Sequence, residues 1–192
     1  SLFVVVALMA LVACGSSSKP SGSTKPATWA VPSDPMARAR AAGLQPETAE
    51  RLQYHVHSHL DVFVDGQKIV VPAGLGIDIA NPGVHMFTEG GQTSYGGIDP
   101  PCATACISPL HTHDVSGVLH TESATKKNNT LGQLFTEWNV KLDANCVATF
   151  CKPEKSIAVY VNGTLSGGDP RTIPLAHRQE SAVVIGTPPA QI

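Results

Sequence analysis

The sequence predicts an α+β domain with a mainly antiparallel β-sheet, several hairpins and one packed amphipathic helix. Polar and apolar residues alternate from Tyr54 onward, which is the period of a strand with one buried face. Asp65-Gly66 and Asn162-Gly163 are typical of two-residue hairpin turns. After Thr130, which is a suitable N-cap, apolar residues recur at helical spacing: Leu131, Leu134, Phe135 and Trp138. The 17 glycines and 15 prolines in 192 residues favour this turn-rich architecture over a helical bundle.

The other elements follow from the same signals. Asp34 and Pro35 are typical of a helix start, so we expect a short helix over residues 36–42 before Gly43. We expect strands over residues 54–64, 67–71, 74–79, 156–161 and 182–185, and a hairpin over 109–122. Residues 81–105 are a long Gly- and Pro-rich excursion without a predicted strand, and such loops are usually functional or disordered.

Residues 1–13 are predicted to be a signal peptide, outside the folded domain. Residues 2–12 are an apolar run of the length of a signal-peptide core, too short to span a bilayer. Because the chain opens on Ser1 without a basic segment, we expect the natural start of this leader to be missing. Residues 14–33 are rich in Ser, Pro, Lys, Thr and Gly and predict a tether. This leaves residues 34–192 as a single globular domain, with its core over about 50–187.

Leu11-Val12-Ala13-Cys14-Gly15 resembles the lipobox of bacterial lipoproteins, in which cleavage precedes the cysteine. The resemblance implies a diacylglycerylated Cys14, and two acyl chains give a stable membrane anchor. The predicted location is therefore extracytoplasmic, with the chain lipid-anchored to the bacterial cell membrane through Cys14. The alternative is an ordinary secretory signal. The formal charge of −2 argues against a nucleic-acid partner, and the sequence indicates no particular protein partner.

Four further cysteines lie in the predicted domain, and an even number in an oxidising compartment predicts disulfides. They are Cys102, Cys106, Cys146 and Cys151, which permit three pairings. Proximity favours Cys102–Cys106 and Cys146–Cys151. In the alternative, Cys102 and Cys106 are thiolate ligands of a metal ion.

Six of the eight histidines fall in two short segments. The first is a predicted strand, Tyr54-His55-Val56-His57-Ser58-His59, whose histidines share one face. The second, residues 109–122, carries five candidate groups: His111, His113, Asp114, His120 and Glu122. Imidazoles that face one another repel when protonated, and they are costly to bury when neutral and unpaired. A divalent cation that accepts their lone pairs removes both penalties, so we expect the two segments to meet at a metal site.

The turn of the second segment decides which of its side chains are neighbours. If Ser116-Gly117 is a two-residue turn, His113 faces His120 and His111 faces Glu122. All four side chains then share one face of the sheet. If the turn has four residues, His111 faces His120 and His113 faces Val118, which leaves a looser site.

The predicted metal ligands are His57, His59, His111 and His113, then His120, with His55 and Glu122 as further candidates. Imidazole and carboxylate ligands suit Zn²⁺, Cu²⁺, Ni²⁺ or non-haem Fe²⁺ rather than Ca²⁺ or Mg²⁺, and we expect Zn²⁺ or Cu²⁺. Asp114 lies on the opposite face of its strand, where we expect it to cap the turn or, as the alternative, to orient a ligand. His177, in a loop, is predicted to be an ordinary surface histidine.

The stretch Tyr54-His55-Val56-His57-Ser58-His59-Leu60-Asp61-Val62-Phe63-Val64-Asp65-Gly66 resembles the opening of a group of exported prokaryotic domains. In that group a His-x-His strand is followed by a Leu-His-Thr-His-Asp segment, as at residues 110–114. Thr130-Leu131-Gly132-Gln133-Leu134-Phe135 and Val159-Tyr160-Val161-Asn162-Gly163 are also similar to it. The resemblance covers residues 44–186. Because the group has no assigned activity, the resemblance supplies no mechanism.

Three functions fit these patterns. The first is a surface-anchored, His-rich lipoprotein that binds or hands on zinc or copper, because the histidines exceed the three protein ligands of a catalytic centre. The second is a metal-dependent hydrolase or oxidoreductase in which Glu122 is the general base. The third is a binding or adhesion module whose histidines are structural.

Overall fold

Residues 27–192 are described by a computed structural model, so the predicted signal peptide and Cys14 lie outside the described residues. The strands are β1 (Ala27–Thr28), β2 (Tyr54–Val64), β3 (Gln67–Val70), β4 (His85–Glu89), β5 (Gln92–Gly96), β6 (Leu110–His111), β7 (Val118–Ser123), β8 (Cys146–Val147), β9 (Phe150–Cys151), β10 (Ile157–Val161), β11 (Thr164–Leu165) and β12 (Glu180–Ile185). The helices are α1 (Pro35–Ala41) and α2 (Leu131–Glu137), with a 3₁₀ turn at Pro170–Thr172. The predicted α+β class is confirmed, and both helices lie where the sequence predicts them, although α1 also packs on the core, so the prediction of one packed helix is incomplete.

The main sheet is organised on β2, which pairs with three other strands. β7 runs antiparallel to its first half, β3 pairs with its end across the Asp65-Gly66 turn, and β12 runs parallel to its second half. β10 and β11 extend the sheet beyond β12, joined by the Asn162-Gly163 turn, and β6 pairs with β7. The predicted two-residue turns at Asp65-Gly66 and Asn162-Gly163 are both confirmed. The sheet is mixed, because β12 is parallel to β2 and β1 is parallel to β3.

Alternation along β2 separates the core from the histidines. Val56, Ser58, Leu60 and Val62 are buried, whereas His55 and His57 are exposed on the other face. The buried face packs with α2, whose Phe135 and Trp138 are each 1% exposed, which confirms the predicted core stripe. A capping box starts α2: the Thr130 hydroxyl accepts from the Gln133 N–H, and the Gln133 side chain accepts from the Thr130 N–H at 2.9 Å.

The folded domain begins before the predicted boundary at residue 34. Ala27–Thr28 pairs with β3, and the Trp29 ring packs on Trp138 with centroids 5.4 Å apart. The indole N–H of Trp138 donates to the Trp29 carbonyl at 3.2 Å. The prediction that the tether extends to residue 33 is therefore wrong at its end, because a large aromatic side chain finds a buried partner there.

Two loop predictions also need correction. Residues 74–79 form turns rather than a strand, because Gly74 and Gly76 have positive φ angles, and a Cβ on Gly76 would lie 2.4 Å from the Leu110 carbonyl oxygen. The excursion over residues 81–105 contains the β4–β5 hairpin, which forms its own two-stranded sheet. No helix of residues 27–192 is long and apolar enough to cross a membrane.

Disulfides join the cysteines in the pairing that proximity favours. Cys102 is bonded to Cys106 and Cys146 to Cys151. The thiolate-ligand alternative for Cys102 and Cys106 is therefore wrong, because each sulfur is already bonded to the other. The first disulfide packs with three buried isoleucines in a second, smaller core: Ile77, Ile98 and Ile107.

Glu137, in α2, makes stability depend on pH. It is 1% exposed, and no described residue hydrogen-bonds either carboxylate oxygen with good geometry. Burial raises its pKa to about 8, against an opposing effect of the Ser108 hydroxyl. The unfolded chain therefore loses this proton first as the pH rises. The contribution of Glu137 to the free energy of unfolding is fully present below about pH 4.5. It falls by up to about 1.4 kcal/mol per pH unit until about pH 8.

We expect Glu137→Gln to flatten this dependence, because a neutral amide has no proton to lose. Urea unfolding at half-unit steps from pH 5 to 8 measures it, with Glu154→Gln as the control on an exposed glutamate. If the free energies of unfolding of the wild type and Glu137→Gln ran parallel over this range, a buried neutral Glu137 would be excluded.

Candidate metal centre

Imidazoles from three paired strands meet on one face of the main sheet. β6, β7 and β2 lie side by side, so that His111 is opposite His120 and His120 is opposite His57. In the neighbouring row, Glu122 of β7 is opposite His55 of β2. The prediction that the two histidine segments meet is confirmed.

The turn before β7 takes the wider of the two predicted forms. His111 pairs with His120, which is the register of the four-residue turn, so the two-residue alternative at Ser116-Gly117 is wrong. The Asp114 carboxylate accepts from the Ser116 N–H at 2.8 Å, and the Ser116 hydroxyl accepts from the Val118 N–H at 3.2 Å. Gly117 has a φ of +90°, and a Cβ there would lie 2.6 Å from the Leu60 carbonyl oxygen. Asp114 thus caps the turn, the first of its two predicted roles.

Four side chains, which we call the inner group, place their ligand atoms within 4.8 Å of one another: His111, His113, His120 and Glu122. The Nε2 atoms of His111 and His113 are 3.3 Å apart. The Oε1 atom of Glu122 lies 3.1 Å from His120 Nδ1, 3.8 Å from His111 Nε2 and 4.0 Å from His113 Nε2. A tetrahedral ion with bonds of about 2.05 Å has ligand atoms about 3.3 Å apart. These four residues can hold one ion of that size with small movements.

Backbone carbonyls fix the tautomers of two of these rings. The Nδ1–H of His111 donates to the Ser108 carbonyl at 2.8 Å, and the Nδ1–H of His113 donates to the Tyr95 carbonyl. A carbonyl can only accept, so each ring carries a proton on Nδ1. The two Nε2 atoms that face each other then both present lone pairs, unless one ring is doubly protonated. Donation of the distal N–H to a carbonyl is how metal-binding histidines are usually oriented.

Two members of the inner group, His111 and Glu122, are buried, and the pKa values of the group reflect this. Burial lowers the pKa of His111 to about 3, so its ring is neutral. Burial also opposes charge on His113, but the Glu122 carboxylate and the Tyr95 carbonyl raise its pKa overall. Burial would raise the pKa of Glu122, yet the neighbouring His113 and His120 rings hold it well below its usual range. Glu122 is therefore a carboxylate, and its second oxygen has no hydrogen-bond partner in residues 27–192.

A second set of three histidines, the outer group, lies beside the inner group and shares a member with it: His55, His57 and His120. The Nε2 atom of His55 is 3.4 Å from His120 Nδ1 and 3.1 Å from Glu122 Oε1. The His57 and His120 ring centroids are 4.4 Å apart. Burial and the neighbouring His120 and His55 rings lower the pKa of His57, which favours a neutral ring with a free lone pair.

His59, a predicted ligand, is in neither group. Its Nε2–H donates to the Ser116 carbonyl at 3.0 Å, and its Nδ1 lies 2.9 Å from a Glu180 carboxylate oxygen. The parallel pairing of β12 with β2 sets Glu180 beside His59. Both ring nitrogens therefore face oxygen atoms rather than the other imidazoles.

Several supporting residues have no role in the sequence-based prediction. Ser108 and Tyr95 act through backbone carbonyls, which carry no sequence signal. Gly96 allows the close approach of β5, because a Cβ there would lie 2.9 Å from His113 Nδ1. Thr112, between the two histidines, is fully buried, and its hydroxyl donates to the Pro72 carbonyl at 2.7 Å and accepts from the Leu75 N–H at 3.1 Å. The sequence signal for its burial is its position: in a strand over residues 110–113, Thr112 shares a face with Leu110, opposite His111 and His113.

Comparisons of the chain with protein families, with curated proteins and with solved structures found no match. Functional inference therefore rests on the geometry of the described residues.

We expect Thr112→Val to loosen the inner group. Valine has nearly the same shape but leaves the Pro72 carbonyl and the Leu75 N–H unpaired, which costs about 2 to 3 kcal/mol of stability. Because Thr112 holds the segment that carries His111 and His113, metal affinity should fall about 10-fold. Denaturant unfolding and metal titration measure the two effects, with Thr125→Val as the exposed control. Equal stability of the two variants would show that this anchor has no role.

Proposed function

We propose that this protein is an extracytoplasmic lipoprotein that binds one divalent transition-metal ion, Zn²⁺ or Cu²⁺, in the inner group. The observation that carries the proposal is the 3.3 Å separation of the His111 and His113 Nε2 atoms, whose rings both direct their Nδ1 protons at backbone carbonyls. Anchoring through Cys14 rests on the lipobox-like sequence. The two disulfides are in keeping with an oxidising compartment.

The facing lone pairs need a positive charge between them. Without a metal ion, a second proton on one ring has to supply it, next to a fully buried neighbour. A bound cation accepts both lone pairs and lies against the Glu122 carboxylate, so it satisfies three of the four groups at once. His120 completes a set of three imidazoles and one carboxylate, which suits Zn²⁺ or Cu²⁺ better than a hard cation.

The geometry favours binding over catalysis. A catalytic zinc centre has three protein ligands and keeps a position open for water, whereas the inner group offers four ligands. Imidazole nitrogens from four histidines lie within 4.0 Å of Glu122 Oε1, which supports a ligand role for this oxygen over that of a base facing substrate. The structural-histidine alternative requires that protein groups satisfy the ring nitrogens, which at the facing Nε2 atoms of His111 and His113 needs a second proton on one ring.

We expect His111→Ala and His113→Ala each to weaken Zn²⁺ and Cu²⁺ binding by at least about 100-fold, because each removes a direct ligand rather than a residue that only orients a ligand. Calorimetric titration of the apo-protein against a competing chelator measures the affinity. His85→Ala is the control, because His85 lies in the exposed β4 strand outside both groups. A wild-type affinity no tighter than that of the double variant His111→Ala/His113→Ala would contradict the proposal.

Glu122→Gln separates a ligand role from a base role. The amide keeps the shape but loses the negative charge, so we expect metal affinity to fall about 100-fold. Glu180→Gln is the matched control, because that carboxylate contacts His59 outside the inner group. Unchanged metal affinity together with lost turnover of a substrate would favour the enzyme alternative instead.

A further inference from the structure

We infer that the outer group is a second, solvent-facing metal site through which the ion enters and leaves the inner group. The inference rests on the proposed function, because it concerns the route to that site. It assigns His57 and His177 a part in ion uptake, although neither belongs to the inner group.

Exposure is greatest at His55 of the outer group and least at His111 of the inner group. The His55 side chain is 34% exposed, and those of His113 and His120 are 23% and 16% exposed, whereas Glu122 is 4% exposed and His111 is fully buried. A hydrated cation that arrives on the side of His55 and His57 meets these two rings first. His120 comes next, and His111 last.

The two groups share a ligand atom, which links them. His120 Nδ1 is 3.1 Å from Glu122 Oε1 and 3.4 Å from His55 Nε2, so the same nitrogen faces both groups. One ring nitrogen has one lone pair and cannot bind two ions at once through it. The groups are therefore alternative positions of one ion. Transfer inward keeps the bond to His120, breaks those to His55 and His57, and forms those to His111, His113 and Glu122, without a change in oxidation state.

His177 extends the outer group toward solvent. Its ring centroid is 6.5 Å from that of His57, and both rings border a surface cleft of about 560 Å³ that His59 and Glu180 also line. The cleft has room for a cation that still carries water. The Glu180 carboxylate and the Arg178 guanidinium both line the cleft, so the cleft offers space for a hydrated ion but no net charge from these two residues.

The test compares rates with affinities in the double variant His57→Ala/His177→Ala, which removes outer residues that do not contact Glu122. To measure release, Zn²⁺-loaded protein is mixed with a chromogenic chelator in a stopped-flow instrument. To measure uptake, apo-protein is mixed with the Zn²⁺-loaded chelator. We expect both rates to fall at least about 10-fold while the equilibrium affinity stays within about 3-fold of wild type, because a route changes both directions equally. His59→Ala is the control: it lines the same cleft and belongs to neither group.

A second variant examines the outer group alone. His111→Ala/His113→Ala should still bind one Cu²⁺ weakly, and adding His57→Ala should abolish that binding. Wild-type rates in His57→Ala/His177→Ala would overturn the route and leave the inner site intact. Saturation of the wild type with two ions would contradict the inference that the two groups share one nitrogen of His120. Absence of tight binding in the wild type would instead remove the proposed function itself.

Discussion

The Oε1 atom of Glu122 has imidazole nitrogens of His55, His111, His113 and His120 within 4.0 Å, and much of the surrounding structure keeps them there. Glu122 lies on β7, between β6 and β2, so rings from both neighbouring strands reach it. In this small volume the Nε2 lone pairs of His111 and His113 face each other unless one of these two rings gains a second proton. A cation satisfies them together, which is why the geometry supports a metal centre.

The support of this cluster is asymmetric. On the inner side, the Ser108 and Tyr95 carbonyls orient two rings, and Thr112 ties their segment to the loop at Pro72. The Cys102–Cys106 disulfide packs in the small core against which Tyr95 lies. On the outer side, His55 and His57 project from β2 with one face open to solvent. The cluster therefore has one side that is buried and hydrogen-bonded and one side that is open to solvent.

Local patterns were sufficient for much of the fold. Alternation along β2 predicts which residues face the core, and Asp65-Gly66 and Asn162-Gly163 form hairpin turns because their φ angles are positive. The Thr130 cap and the apolar stripe predict α2. Local patterns also predict α1 itself, but not its packing on α2. There the Arg38 guanidinium donates to the Thr136 carbonyl at 2.8 Å and joins segments about a hundred positions apart, which has no local signal. The same is true of the strand before α1, which forms because Trp29 meets Trp138.

The sequence by itself determined the ligand chemistry: the spacing of the histidines at the strand period puts them on one face, and imidazole with carboxylate selects a class of ion. The tertiary structure decided which of them converge. Long-range pairing of β12 with β2 turns His59 toward Glu180, and the hydrogen bonds of Asp114 and Ser116 set the register that brings His111 opposite His120. Side-chain period is a local property of the backbone, whereas strand register and neighbour depend on contacts between residues far apart in the chain.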